Sequence, residues 1–459
     1  MTTSIDHASP ALAQLRAEFD GQVIGADHPD YDEARTVISG LVDRRPAMIV
    51  RPRDAAQVAR VVAVAAESGL ELAVRGGGHS AAGHGVSEGG LVLDLRDMRA
   101  FDIDVEQRTA SAQAGLTAGE YTALAGEHGL ATGFGDTASV GIGGITLGGG
   151  VGFLSRRFGL TIDDLLAAEV VTADGQILEV DAAHHPDLFW AIRGGGGNFG
   201  VVTRFTFRVH EVSDVVGGML ILPVTPEIIV SAIAAADAAP EQLSGMFNVM
   251  TAPPMPFVPE EYHGKPVMMA LLCYAGGAEE GERAMAPFRE LATPLADMIK
   301  PMTYPELFPP DPPHRPVAAG RTLFVDGVDL DAAKLIMDRL HASTAAMTVA
   351  QFRVLGGAVA RVPSDATAFA HRDRRVMAMV AAMFQDPVEL PVYEAWVSEF
   401  AAELSDGSPG AYVNFVGDEG AARVRDAYPG TTWDRLREVK KRYDPGNLFR
   451  LNQNIPPAE

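Results

Sequence analysis

The feature that most restricts this chain is where its glycines fall. Three glycine-rich stretches crowd into the first half: Gly76–Gly78, Gly141–Gly152 and Gly194–Gly200. A segment without side chains adds little to a core, but its N–H groups can approach an anion closely and point at it. Tight turns would account for one such stretch. Three in one half predict a backbone-lined groove for a large, diphosphate-bearing cofactor. After about residue 212 the clusters stop and apolar, partly alternating segments take over.

Two of the stretches carry the spacing of a dinucleotide fingerprint. Gly76, Gly78 and Ala81 match G-x-G-x-x-A, and Gly195, Gly197 and Gly200 match G-x-G-x-x-G. That fingerprint works only between a strand and a helix. The first match runs on into loop, and the second follows a helix and enters a strand. The order is wrong for a nicotinamide nucleotide.

The rest of the first half reads as short α and β pieces. AMIVRP, ELAVR and LVLDL are strands around the helix AAQVARVVAVAAESG, which Asp54 caps. FDIDVEQRTASAQAG is a hairpin, and Thr117 with Glu120 forms a capping box for the next helix. Residues 133–159 read as one long loop, and Asp174-Gly175 turns a second hairpin. Beyond 212, GMFNVM, KPVMMALLCYA, TVAQFRVLGG and RRVMAMVAAMF are strands separated by helices. They predict an antiparallel sheet covered by helices on one face. PPMPFVPEEYHGKP and PELFPPDPPHRPV are proline-rich loops suited to cavity walls. The end reads as a strand, AYVNFV, then the helix WDRLREVKKRY and an extended tail.

Charge and cysteine narrow the partners. There are 37 Lys+Arg against 60 Asp+Glu, a formal charge of −23, which repels nucleic acid and anionic membranes. The single cysteine, Cys273, allows no internal disulfide, and no zinc pattern is present. No signal peptide is visible, and the apolar stretch near Val376 to Phe384 is too short to span a bilayer. The expectation is a cytoplasmic protein without metal, its oligomeric state open. At 459 residues the chain should hold more than one core.

His79 follows the first glycine stretch directly. From residues alone it could be an anion contact, a general base, an attachment point or a plain loop histidine. Four motifs in order go further: RGGGHS (75–80), GFGDTASVGIGGITLGGGVGFLSRRFGL (133–160), LFWAIRGGGGNFGVVT (188–203) and RYDPGNLFRLNQNIPP (442–457). Together they resemble the berberine-bridge-enzyme-like FAD-linked oxidases of the vanillyl-alcohol-oxidase and p-cresol-methylhydroxylase superfamily, in particular the bacterial hydroxynicotine oxidases. The resemblance implies an α+β fold with a split PCMH-type FAD-binding domain and an inserted antiparallel-sheet substrate domain. The expected parts are residues 1–212, 213–405 and 406–459, the last returning to the FAD domain.

The same resemblance implies that His79 bonds to the 8α-methyl of the flavin. Arg75, Gly76, Gly77, Gly78 and Ser80 would lie with it on the cofactor. The second stretch would add Thr137, Val140, Gly141, Gly143, Gly144 and Gly150, and the third Gly196, Asn198, Gly200 and Val201. Asn198 and the glycines would wrap the diphosphate and neighbouring groups, while Tyr412 and Asn414 would face the isoalloxazine.

Two departures matter. Many relatives hold the flavin a second time through a cysteine where this chain has Thr137, so a single link is expected. Plant members carry a carboxylate base on the strand that here reads RRVMAMVAAMF, without an acid. Tyr412 is then the leading proton acceptor, its phenol lowered by a neighbouring cation, unless the substrate is an amine that binds already neutral. Val140 falls where the family gates oxygen and resembles the oxidases. The expectation is a small alcohol or amine giving a hydride to the flavin, with dioxygen reoxidising it to hydrogen peroxide. An apolar pocket favours alkaloid-like or polyketide-like molecules. A dehydrogenase with another acceptor and a non-catalytic natural-product binder are the alternatives.

Overall fold

The computed structural model describes residues 10–19, 22–212, 214–311 and 315–459. Ser213, at the expected boundary, and Pro312, Pro313 and His314 of the second proline-rich loop lie outside the described residues.

The first half forms two main sheets, besides a two-stranded pairing of Leu130–Ala131 with His210–Glu211. Val23–Gly25, Met48–Val50, Leu91–Asp94 and Leu72–Arg75 lie side by side, the last three parallel. The helix Ala55–Ser68 connects two of these strands. Asp54 accepts from the Gln57 N–H at 2.8 Å to start it, and Gly69 ends it with φ +68°. Its apolar stripe, including Val58, Val61, Val62 and Ala65, is buried. The second sheet is antiparallel, in the order Phe101–Asp104, Thr109–Gln113, Val201–Arg208, Leu165–Val171, Ile177–Asp181. Both expected hairpins and the Thr117–Glu120 capping box are present.

The later half is dominated by one antiparallel sheet. From one edge its strands run Ala296–Asp297, Asp214–Pro223, Pro266–Tyr274, Leu243–Thr251, Met347–Val354, Val376–Met383 and Ala318–Val325, and Lys300–Thr303 also pairs with the second. The helices Pro226–Ala238, Ala278–Arg289, Leu330–Ala342 and Leu390–Leu404 share a core with one face. Alternation turns Phe247, Ala350, Phe352 and Ala378 into that core and their neighbours to the opposite face. A second large core joins Leu12 to Val215 with Ala411 to Ile455, so both ends of the chain pack together.

Two sequence expectations fail locally. Residues 133–159 are not all loop: Ile142–Leu147 and Ser155–Phe158 are short helices. Buried Ile142 and Thr146 anchor the first despite its glycines, so packing overrides propensity. AYVNFV is not a strand but a 3-10 turn at Val413–Phe415. The Phe415 N–H bonds locally to the Tyr412 carbonyl at 2.8 Å instead of joining a ladder. Among the described residues no helix is long and apolar enough to cross a membrane, and no acid, histidine or cysteine group could hold a metal.

Candidate functional site

The second glycine stretch is the hub. On one side it meets the first stretch backbone to backbone. A Cβ on Gly77 would sit 2.3 Å from the Gly141 nitrogen, so only glycine permits this approach. On the other side the Gly194 N–H, from the third stretch, donates to the Leu147 carbonyl at 3.0 Å. Gly76, Gly78, Gly143 and Gly144 lie in the same layer. A Cβ on Gly144 would meet nothing within 4 Å, so that backbone is open.

His79 sits at the first contact. Its Nε2 lies 2.9 Å from the Ser139 Oγ, across the two stretches. The Ser139 N–H donates to Asp311 Oδ2 at 2.8 Å. Burial pushes the imidazole below its ordinary pKa, while the Asp311 charge pulls the other way. Ser80 closes the turn after it, accepting from the His84 N–H at 3.5 Å. Half-buried Val140 joins the neighbouring helix start by accepting from the Ala118 N–H at 2.8 Å.

Beneath the first stretch lies an arginine cluster around a buried acid. Arg75 is 1% exposed and donates through Nη2 to Asp94 at 2.8 Å. Burial would raise the Asp94 carboxyl, but Arg75, Arg96 and Arg51 together hold it low. The Arg75 Nε and Nη1 are buried without a partner. A buried unsatisfied guanidinium is costly, and an anionic group beside the glycines would complete it.

Tyr412 and Asn414 reach the far end of the second stretch. The Tyr412 hydroxyl accepts from the Gly150 N–H at 3.0 Å, the Val151 N–H at 3.3 Å and Asn414 Nδ2 at 3.0 Å. Asn414 also donates to the Ile145 carbonyl at 3.1 Å. Gly150 has φ +84°, a conformation that glycine alone adopts freely. The expected lowering of the phenol does not occur. Burial raises it, and the three donors and distant Arg353 offset this only in part. A phenol held neutral in that way is a poor proton acceptor at ordinary pH.

The third stretch serves mainly to fasten the tail. The Asn198 side chain donates to the Gly195 carbonyl at 2.9 Å and the Gln453 carbonyl at 3.1 Å, and accepts from the Ile455 N–H at 2.9 Å. Its side-chain amide donors are therefore both occupied within the protein. Lys440, fully buried, binds the Asn198 carbonyl at 2.7 Å, Asp444 at 2.7 Å and the Phe449 carbonyl at 2.9 Å. Gly196 lies in the short turn before Asn198. Gly200 and Val201 are buried against Val170 and Val171 of the neighbouring strand, so they shape the layer from behind.

A small cavity lies between this layer and the helix-free sheet face, lined by Asp136, Val151, Phe153, Arg156, Met246 and Arg353 among others. Sequence reading missed Asp136, the carboxylate of this wall. Its Oδ2 accepts from Arg353 Nη2 at 2.6 Å, and its Oδ1 accepts from Thr137 Oγ1 at 3.0 Å. Arg353 also donates to Gln351, which donates to Asn248 at 2.8 Å. Asn248 stands opposite Gln351, and Met246 opposite Arg353. Met269 and Met379 flank the amides across the sheet, and Met377 flanks Arg353. Asp136 precedes Thr137 in the motif, so position gave a weak hint; Arg353 gave none, since its partner is 217 residues away.

These residues fit an FAD. The glycine backbones provide a cradle, Arg75 has unpaired buried donors, and an imidazole waits at the edge. When bound, FAD supplies the two-electron redox chemistry. Cys273 offers no anchor for it, being fully buried with its thiol pushed up by burial to about 12.

Known proteins agree with this geometry. The FAD binding domain family matches residues 46–181, and the berberine and berberine-like family matches residues 411–456. The FAD-linked oxidoreductase YvdP of Bacillus subtilis (strain 168) is 33% identical over 96% of this chain and 99% of its own. (R)-6-hydroxynicotine oxidase of Paenarthrobacter nicotinovorans is 29% identical over 95% of this chain and 97% of its own. The crystal structure of 6-hydroxy-D-nicotine oxidase from Arthrobacter nicotinovorans superposes with a TM-score of 0.84 at 27% identity, covering 100% of both chains. With its fold, its two family domains and full-length relatives, this chain belongs to the berberine-like family of FAD-linked oxidoreductases and is an enzyme of that class.

Proposed function

We propose that the enzyme is an oxidase carrying one FAD, linked through His79 alone, that oxidises a small aromatic or heterocyclic amine or alcohol and passes the electrons to dioxygen. The observation that carries this reading is that one segment, residues 136–152, reaches three parts. They are the His79 imidazole, the glycine cradle and a cavity holding one carboxylate, Asp136, held by Arg353. The named oxidases among the relatives support dioxygen as acceptor.

Asp136 is the better proton acceptor than Tyr412. It faces the cavity, and each of its oxygens keeps a lone pair beyond the bonds to Arg353 and Thr137. It accepts the proton from the substrate's hydroxyl or amine while the neighbouring carbon is oxidised. Tyr412 and Asn414 keep the second glycine stretch in shape, where it would support a bound flavin. Met246 gives the sheet wall of the cavity an adaptable apolar surface that suits a flat ring better than a sugar. The reading also divides the chain at 1–212, 213–405 and 406–459, supported by the two main cores, with Cys273, Tyr304, Phe308 and Ala368 of the middle part packing into the first.

The test is anaerobic mixing of the holoenzyme with a panel containing both enantiomers of 6-hydroxynicotine, benzylic alcohols and glucooligosaccharides. The expected result is bleaching of the flavin by a ring-bearing amine or alcohol, and recovery in air with one hydrogen peroxide per turnover. Bleaching that air fails to reverse would overturn the oxidase assignment. Bleaching only by sugars would overturn the substrate class.

A further inference from the structure

We propose that Ser139 is the positioning residue for the attachment of FAD to His79. This rests on the reading that His79 carries the link. Gly76, Gly77, Gly78 and Gly141 have no side chains with which to orient a neighbouring ring. The polar contact that reaches the imidazole from the second stretch is the Ser139 Oγ, 2.9 Å from Nε2 and 60 residues away in sequence. With Nε2–H donating to that oxygen, the neutral ring keeps its lone pair on Nδ1, which becomes the nucleophile.

Ser139 is itself held. Its N–H donates to Asp311 Oδ2 at 2.8 Å, from the proline-rich loop of the later half. This brings a carboxylate near the imidazole and opposes the effect of its burial. A ring nitrogen that forms a bond to carbon gains positive charge. Asp311 stabilises that charge, and Ser139 receives the N–H as it becomes more acidic.

The chemistry balances with dioxygen as oxidant. One carbon–nitrogen bond forms between His79 and the 8α carbon. One C–H bond of that methyl breaks, and the imidazole loses its N–H proton through Ser139 to water. The electron pair released enters the flavin ring system. Dioxygen then takes it with two protons and leaves as hydrogen peroxide.

The experiment follows covalent incorporation, which needs no substrate. Wild type, H79A, S139A, S139T and S139V are purified from riboflavin-limited cells and given free FAD in air. Flavin that stays with acid-precipitated protein is measured over time. Wild type should fill completely, and H79A should hold only flavin that acid releases. S139A and S139V should fill at least about tenfold more slowly, as for loss of a partner that orients a histidine. S139T, which keeps the hydroxyl, should fill at close to the wild-type rate. Thr and Val have the same shape, so their difference reports the hydroxyl even if S139A fails to fold. Equal rates for S139T and S139V, or a wild-type rate for S139A, would overturn the role of Ser139. Wild-type flavin that acid releases completely would overturn the His79 link itself, and this inference with it.

Discussion

The glycine layer and the helix-free face of the large sheet meet at one small cavity, yet they are made in opposite ways. The layer is shaped by backbone: Gly77 touches Gly141, Gly194 bonds to Leu147, and Gly150 holds a turn at φ +84°. The sheet face is shaped by side chains: Asn248, Gln351 and Arg353 form a polar row among methionines. A backbone site binds a cofactor common to a whole family, and only glycine satisfies it. A side-chain site can change one residue at a time and so suits a substrate particular to one member. Asp136 joins the two, belonging to the layer by sequence and to the sheet by its ion pair.

If the layer depends on fixed backbone, its fastenings should carry the largest effects. Lys440→Met leaves Asp444 buried without its cation, although the Leu448 and Phe449 N–H groups still reach it. A loss of about 3–5 kcal/mol is expected in a denaturant melt, together with weaker flavin retention. Next comes the residue that joins the two regions. Asp136→Asn keeps most of the hydrogen-bonding shape and removes the basic oxygen. Flavin reduction by a substrate that bleaches wild type should slow by about 100-fold or more, with the visible flavin spectrum kept.

Gly77→Ala probes the close approach directly. The added carbon meets backbone on the facing stretch, so the loops must part, at a cost of about 1–3 kcal/mol and with a fall in flavin content. A smaller, pH-dependent effect comes from His371 behind the site. It is buried, stacked on Phe324 with centroids 4.5 Å apart, and burial pushes its pKa down to about 4 from 6.5. The unfolded chain takes up this proton first, so the contribution is full above pH 6.5 and is lost as pH falls towards 4. His371→Asn should flatten the stability profile in that window, as read by melts from pH 4 to 7. The smallest effect is expected on the sheet face. Met246→Leu should cost less than about 1.5 kcal/mol in stability while shifting KM more than kcat. A large fall in kcat would place the methionine wall in the chemistry and break the division between the regions.

The two regions also differed in how far the sequence revealed them. Glycine spacing announced the layer, and the reversed order of strand and helix around Gly195–Gly200 turned the reading away from a nicotinamide site. Caps at Asp54 and Thr117 and the turn at Asp174-Gly175 rest on contacts within a few residues, and all were visible. The helix Ile142–Leu147 was not, because its glycines argue against helix and only burial of Ile142 and Thr146 favours it. Tyr412 shows the limit for electrostatics. A motif can place a phenol near the flavin, but its pKa depends on burial and on Gly150 and Val151, some 260 residues distant. Asn198 shows the same limit for contacts, since two of its three side-chain partners are in the C-terminal tail. The Asp136–Arg353 pair needed the fold itself.

The central claim is an FAD tethered at one imidazole, and intact mass under denaturing conditions tests it most directly. Unfolded wild type should be heavier than the bare chain by a single flavin nucleotide, carried on the tryptic peptide containing His79, and His79→Ala should show the bare mass. A bare mass for denatured wild type, or a nucleotide found on another peptide, would contradict the account.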